Sequence, residues 1–263
     1  MISELSYVSP DAKIGKNVIV HPFAHIDANV TIGDGCEIYP YASIVSGTTL
    51  GNNVKVYQGS VIGADPQDFR WKGEPTYCVI GNDVTIREHV IINRSIYPGK
   101  ATSVGDGCVI MAKVHIGHDT TLVGHSVIGN GAQVSGDVII GSHAILSSNA
   151  IVYSGSEIGT YAMVKGGCRI NGNVPPFAII AHNPVVYAGV NAYLLRYKGF
   201  SEDTIDEIAK AYRHLYQSGT SVVNALKRIE RDVNPSKERS AIVDFIRDHN
   251  LKIVAVSEHS EIE

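Results

Sequence analysis

Positive charge is in short supply in this 263-residue chain: 22 lysines and arginines against 26 aspartates and glutamates leave a formal net charge of −4. A nucleic-acid binder needs a basic footprint to neutralise phosphates, so that class is set aside. No apolar run approaches the roughly 18 residues that a membrane-spanning helix needs. The opening stretch MISELSYVSP has neither the basic start nor the apolar stretch of a secretory signal, which leaves a soluble, cytoplasmic protein as the expectation. Cysteine is scarce as well. Cys36, Cys78, Cys108 and Cys168 form no C-x-x-C pair, so neither a disulfide framework nor a structural zinc site is expected. There is no P-loop, no dinucleotide fingerprint and no serine-based triad, because the glycines follow turns and open no helix.

What the chain has in abundance is a period of six. Counting in sixes from Val8 meets a branched aliphatic at every step to Ile62, resumes in phase at Ile80, Ile86 and Ile92, and runs again from Val104 to Ile170. Asp68, Glu74 and Pro98 are the breaks. Two residues before each aliphatic lies a column of small residues, which includes Ala24, Ala42, Ala132 and Ala144 and takes in all four cysteines. The cysteines therefore read as small buried side chains. Neither the period of two of a strand nor the 3.6 of a helix gives six; short strands joined by tight turns do, with three hexads closing a triangular coil of eighteen residues. The fold class is an all-β solenoid, a parallel β-helix, with Gly, Asn and Asp supplying the turns.

Residues 64–79 and 93–103 are polar and leave the phase intact on either side, so they read as loops thrown out from a corner. After NVPPF the period disappears. Ser201, Thr220 or Ser221, and Ser236 then stand as N-caps before amphipathic stretches, the first with Ile205, Ile208, Ala209, Tyr212 and Leu215 on its packing face. The expected organisation is a β-helix over residues 1–190 and a small helical domain over 191–263.

Chemistry concentrates in VHIGHD. His115 is the outward residue of its strand, and His118 and Asp119 lie on the turn that follows, so neither histidine belongs to the core. One coil onward from His118 is Gly136, and one coil onward from Asp119 is Asp137. A glycine stacked about 4.8 Å from a surface histidine offers its backbone N–H to a ligand beside a general base. His125 and His143 stack in the same manner with Tyr161 beyond, which keeps a zinc site completed by a neighbouring subunit open as a second use of the scaffold. A non-catalytic solenoid is a third.

Taken together, the hexads, the loop DPQDFRWKGEPT, the turn HIGHD and the segments VPPFAIIAHNP and GVNAYLLRYKGF resemble the UDP-N-acetylglucosamine O-acyltransferase family, which starts lipid A synthesis. The resemblance covers nearly the whole chain. It implies a left-handed β-helix, a homotrimer with active sites between subunits, and transfer of a 3-hydroxyacyl chain from acyl carrier protein to the sugar 3-hydroxyl, with no cofactor beyond the carrier's phosphopantetheine and no metal. By the same resemblance His118 is the general base, Asp119 orients it and Gly136 donates its N–H to the oxyanion. Gln67, Asp68, Arg70 and His115 are implied in substrate binding, Asn191, Arg196 and Lys198 in holding the nucleotide or the acidic carrier, and Gly166 in flooring the acyl groove. Asp137, Tyr153 and Tyr197 depart from the family, which has two histidines and an arginine in those places. An N-acyltransferase acting later on lipid A shares the scaffold, but usually carries an added N-terminal domain, whereas hexads here begin at Val8.

Overall fold

The computed structural model describes residues 1–255. Their hexads wind into three sheets of nine, eight and ten strands, parallel except for the last strand, Val186–Val190, which runs antiparallel to Ala178–Ala181. Most strands are two residues long: an outward residue, then the inward aliphatic. In His115–Ile116, for example, the histidine is half-buried and the isoleucine fully buried. Strands pair with those eighteen residues away, as Tyr7 does with His25. The prism is a left-handed parallel β-helix. Its interior is one continuous apolar column from Val18 to Ile180, and all four cysteines are free and buried in it. Burial pushes the Cys78 thiol up to about 12, which suits a packing role.

The two loops are shorter than the broken hexads suggest. The first spans 65–76, between strands Val61–Ala64 and Tyr77–Ile80, and the second spans 94–100, between Ile91–Asn93 and Ala101–Val104. Their roots stay in the ladder, Tyr77 pairing with Ala101. Register partners pass from eighteen apart (Ser43 and Val61) to thirty apart (Thr49 and Val79) and then twenty-four (Ile80 and Val104), so the loops insert twelve and six residues. Both are multiples of six, and the phase therefore survives.

The corner between the eight- and ten-stranded sheets differs from the expected Gly-Asn-Asp pattern. Besides Asn17, Gly35 and Asn53, the left-handed backbone conformation is held there by His125, His143 and Tyr161, with φ of 53°, 59° and 60°. That conformation costs a side-chain-bearing residue roughly 1–2 kcal/mol. Here the rings offset it by stacking coil on coil, with centroids 5.0 Å apart for His125 and His143 and 4.8 Å for His143 and Tyr161.

Four helices follow: α1 (Ala192–Tyr197), α2 (Glu202–Tyr216), α3 (Val222–Asp232) and α4 (Lys237–Asp248). Ser201, Ser221 and Ser236 cap the last three, each hydroxyl accepting from the backbone N–H three residues on at 3.0–3.3 Å. On α2 the buried alanine is Ala211 rather than Ala209, which lies at the edge of the face. The helices share a second apolar cluster with Phe177 and Ala178 of the last coil, and the Tyr212 hydroxyl donates to the Pro176 carbonyl, so they sit directly on the prism. Among the described residues no helix is long and apolar enough to cross a membrane.

Candidate active site

The corner between the nine- and eight-stranded sheets carries both loops and, on the next coils, the turns at 117–119 and 135–137. Each coil contributes one layer. The first loop brings Asp68 and Arg70, the second brings Ser95 and Ile96, and the stacked turns bring His118 with Asp119 and Gly136 with Asp137.

His118 is 9% exposed. Its Nδ1 is 2.8 Å from Asp119 Oδ2. The same carboxylate accepts the Ser95 hydroxyl and, at 3.0 Å, the Ile96 N–H, while the Asp119 N–H donates to Thr102 Oγ1 at 2.7 Å. The carboxylate accepts from Ser95 and Ile96 and can only accept from His118 as well, so Nδ1 carries the proton and the lone pair of the neutral ring lies on Nε2. On that side Asp68 Oδ2 stands 3.4 Å away, longer than a well-formed hydrogen bond, and so flanks the nitrogen. Gly136 closes the other flank. A Cβ built there would lie 2.4 Å from His118 Nε2, and its N–H makes no hydrogen bond among the described residues.

Arg70 grips Asp68 with two side-chain hydrogen bonds of 3.0 and 2.9 Å and reaches to 3.8 Å from Asp137. Its guanidinium holds the Asp68 carboxyl well below the usual carboxylate range. His118, Asp119 and Asp137 bring possible metal-ligand atoms within 4.8 Å of one another. Asp119 is already committed to three donors and a guanidinium adjoins Asp137, so the arrangement fits proton transfer better than cation capture. The stacked rings of His125 and His143 lie parallel and do not converge on a point, which is unlike a zinc site.

His115 stands three residues before His118, with Nε2 2.7 Å from Asn93 Oδ1. Gln67 is exposed on the first loop, and Tyr153 is exposed one coil beyond Asp137. The remaining candidates lie elsewhere on the chain. Gly166 is exposed at the corner between the ten- and nine-stranded sheets, where an added Cβ would meet only the Ser148 carbonyl, at 3.0 Å. Asn191 is 3% exposed and serves the fold, its Nδ2 donating to the Tyr161 carbonyl and its own carbonyl accepting from Leu195 N–H. Arg196 is bound to Glu202 by two hydrogen bonds of 2.7 and 2.8 Å, and lines a depression with Tyr187 and Arg213. Lys198 lines a different one with Ser201 and Lys237. The adjacent cations thus face apart. Ser95, Thr102 and Asn93 are site residues that no sequence motif marks; Asn93 and Ser95 sit where a loop interrupts the repeat, so no hexad position points to them.

A solenoid of hexads with a carboxylate-backed imidazole beside an unpaired backbone N–H at one corner has the make-up of a hexapeptide-repeat transferase. A family model described as UDP-N-acetylglucosamine O-acyltransferase, domain 2, matches residues 173–254, and one described as the GMPPB C-terminal domain matches residues 2–103 of the hexad region. A protein of Sulfurihydrogenibium sp. named acyl-[acyl-carrier-protein]–UDP-N-acetylglucosamine O-acyltransferase is 49% identical over 94% of this chain and 91% of its own length. Its namesake in Fusobacterium nucleatum is 48% identical over 71% of this chain and 72% of its own. The crystal structure of a UDP-N-acetylglucosamine acyltransferase from Bacteroides fragilis superposes with a TM-score of 0.93 at 41% identity, covering 98% of this chain and 100% of that one. The chain belongs to the UDP-N-acetylglucosamine O-acyltransferase family.

Proposed function

We propose that this chain transfers a 3-hydroxyacyl group from the phosphopantetheine thioester of acyl carrier protein to the 3-hydroxyl of UDP-N-acetylglucosamine, the first step of lipid A biosynthesis, in the cytoplasm. The observation that carries this is the orientation of His118: Nδ1 is tied to a carboxylate that the Ser95 hydroxyl and the Ile96 N–H hold in place, and Nε2 is turned to Gly136. His118 Nε2 takes the proton of the sugar hydroxyl as its oxygen bonds to the thioester carbon. The charge that develops on the carbonyl oxygen meets the Gly136 N–H. The C–S bond then breaks, and the imidazolium returns its proton to the departing thiolate. Asp68, kept ionised by Arg70, is placed to accept from a sugar hydroxyl or to stabilise the imidazolium.

A homotrimer with sites between subunits follows from the same reading. His118 and Gly166 belong to two different corners of the prism and Lys198 to the helical region that follows it, and within one chain they do not converge. Three prisms side by side bring unlike corners together, so a neighbour supplies the acyl floor and the cationic residues. Purified protein given UDP-N-acetylglucosamine and a panel of 3-hydroxyacyl carrier proteins tests the reading. An O-acylated sugar nucleotide is expected, and its absence with every donor would rule the reaction out.

A further inference from the structure

We propose that Asn93 is a positioning residue that fixes the tautomer of His115, so that His115 presents Nδ1 as an acceptor to a hydroxyl or amide N–H of the sugar substrate; this rests on the transfer reaction proposed above. Asn93 ends the strand one coil before His115 and is 1% exposed. Its Nδ2 donates to the Asp65 carbonyl at 2.6 Å, with the Ala64 carbonyl at 3.5 Å. Turning the amide round would set its oxygen against a carbonyl oxygen at that distance, so the orientation is determined by the first loop's root. Oδ1 must therefore face His115, 2.7 Å from Nε2, and an amide oxygen can only accept. The proton is on Nε2.

The lone pair of the neutral ring then lies on Nδ1, which makes no hydrogen bond among the described residues. Burial first, and the nearby His118 second, hold His115 below the usual imidazole range, which keeps the ring neutral. Two imidazoles three residues apart thus stand in opposite tautomers: His118 donates through Nδ1 and His115 through Nε2. One is set by a carboxylate, which suits a group that must accept a proton. The other is set by a neutral amide, which suits a group that must remain an acceptor and never take the proton itself.

Histidine nitrogen–proton correlation spectra of the full-length protein read the tautomer directly, with His115→Gln identifying the resonance. At about pH 7.5 the Nε2–H form is expected; the Nδ1–H form or an imidazolium overturns the proposal. Asn93→Ala should give His115 a mixture of tautomers and raise KM for the sugar nucleotide about tenfold, with kcat within about twofold of wild type. An unchanged tautomer, or a fall in kcat at constant KM, overturns it equally. The spectra are read on the free protein, so their outcome stands whether or not the transfer assay succeeds, and the wild-type spectrum decides even if the alanine variant fails to fold.

Discussion

His118 and Gly136 are one coil apart, and the counting rule that joins them also makes the pair legible in the sequence: eighteen residues in the chain mean one layer in the prism. Ser95 has no such marker. It lies at the start of a seven-residue loop where the hexads pause, and only the fold places its hydroxyl on Asp119. His118→Ala is expected to lower kcat about a thousandfold with the assembly intact, because it removes the proton-transfer group, and a residual rate above about a tenth of wild type would displace it from that role. Gly136→Ala makes a finer test. Its backbone is not in the left-handed region, so an alanine carries no conformational penalty there, yet its methyl would lie 2.4 Å from His118 Nε2. The pinned His118 ring has to shift to make room, so transfer should fall about a hundredfold or more, with a much smaller drop in the thermal midpoint. Equal loss of activity and stability would mean the glycine serves the turn.

The two loops act as a pair. The second buttresses Asp119 from behind, and the first lays Asp68 and Arg70 across the front of His118. They grow from successive coils of one corner, and Arg94 of the second reaches Asp65 of the first at 2.6 Å and Trp71 through its ring face at 5.7 Å. The sequence locates both loops but makes them too long, because strand residues such as Tyr77 that lack a hexad aliphatic still pair by backbone. It also groups Arg196 with Lys198 as cations for phosphate or the acidic carrier; the fold sets the first on a short helix and the second just past its end, lining separate depressions. Arg70→Ala should free Asp68 and raise KM for the sugar nucleotide roughly tenfold, whereas Arg70→Lys keeps a cation but loses the paired hydrogen bonds and should fall between. Identical constants for the two variants would show that charge alone matters.

The prism presents three unlike corners, and its stability responds to acid through histidines that it holds neutral. Burial is the first cause that keeps His115 and His143 below the ordinary imidazole value, so below about pH 6.5 the unfolded chain binds protons that the folded chain refuses. The contribution is present above that pH and is lost as pH falls through the folded values. The thermal midpoint should therefore be flat above about pH 7 and decline below 6.5, and His115→Gln should lessen the slope; an unchanged slope would place the acid sensitivity elsewhere. The same three corners bear on chain length. In the proposed trimer, where an acyl groove would run along the prism between neighbours, the side chain closest to the far end of the chain decides how many methylenes enter. Gly166 is exposed on a turn with only the Ser148 carbonyl near its missing Cβ, so a larger residue would project away from its own core and into the space beside a neighbour. Each buried methylene contributes roughly 0.8 kcal/mol, and an open floor excludes none, so the expected donor carries about fourteen carbons or more. Gly166→Met should move the preference to a donor shorter by several carbons and leave the rate with that donor close to the wild-type optimum. Equal loss with every donor, or a wild-type preference near ten carbons, would make Gly166 a turn residue and put the measuring surface on another wall of the groove.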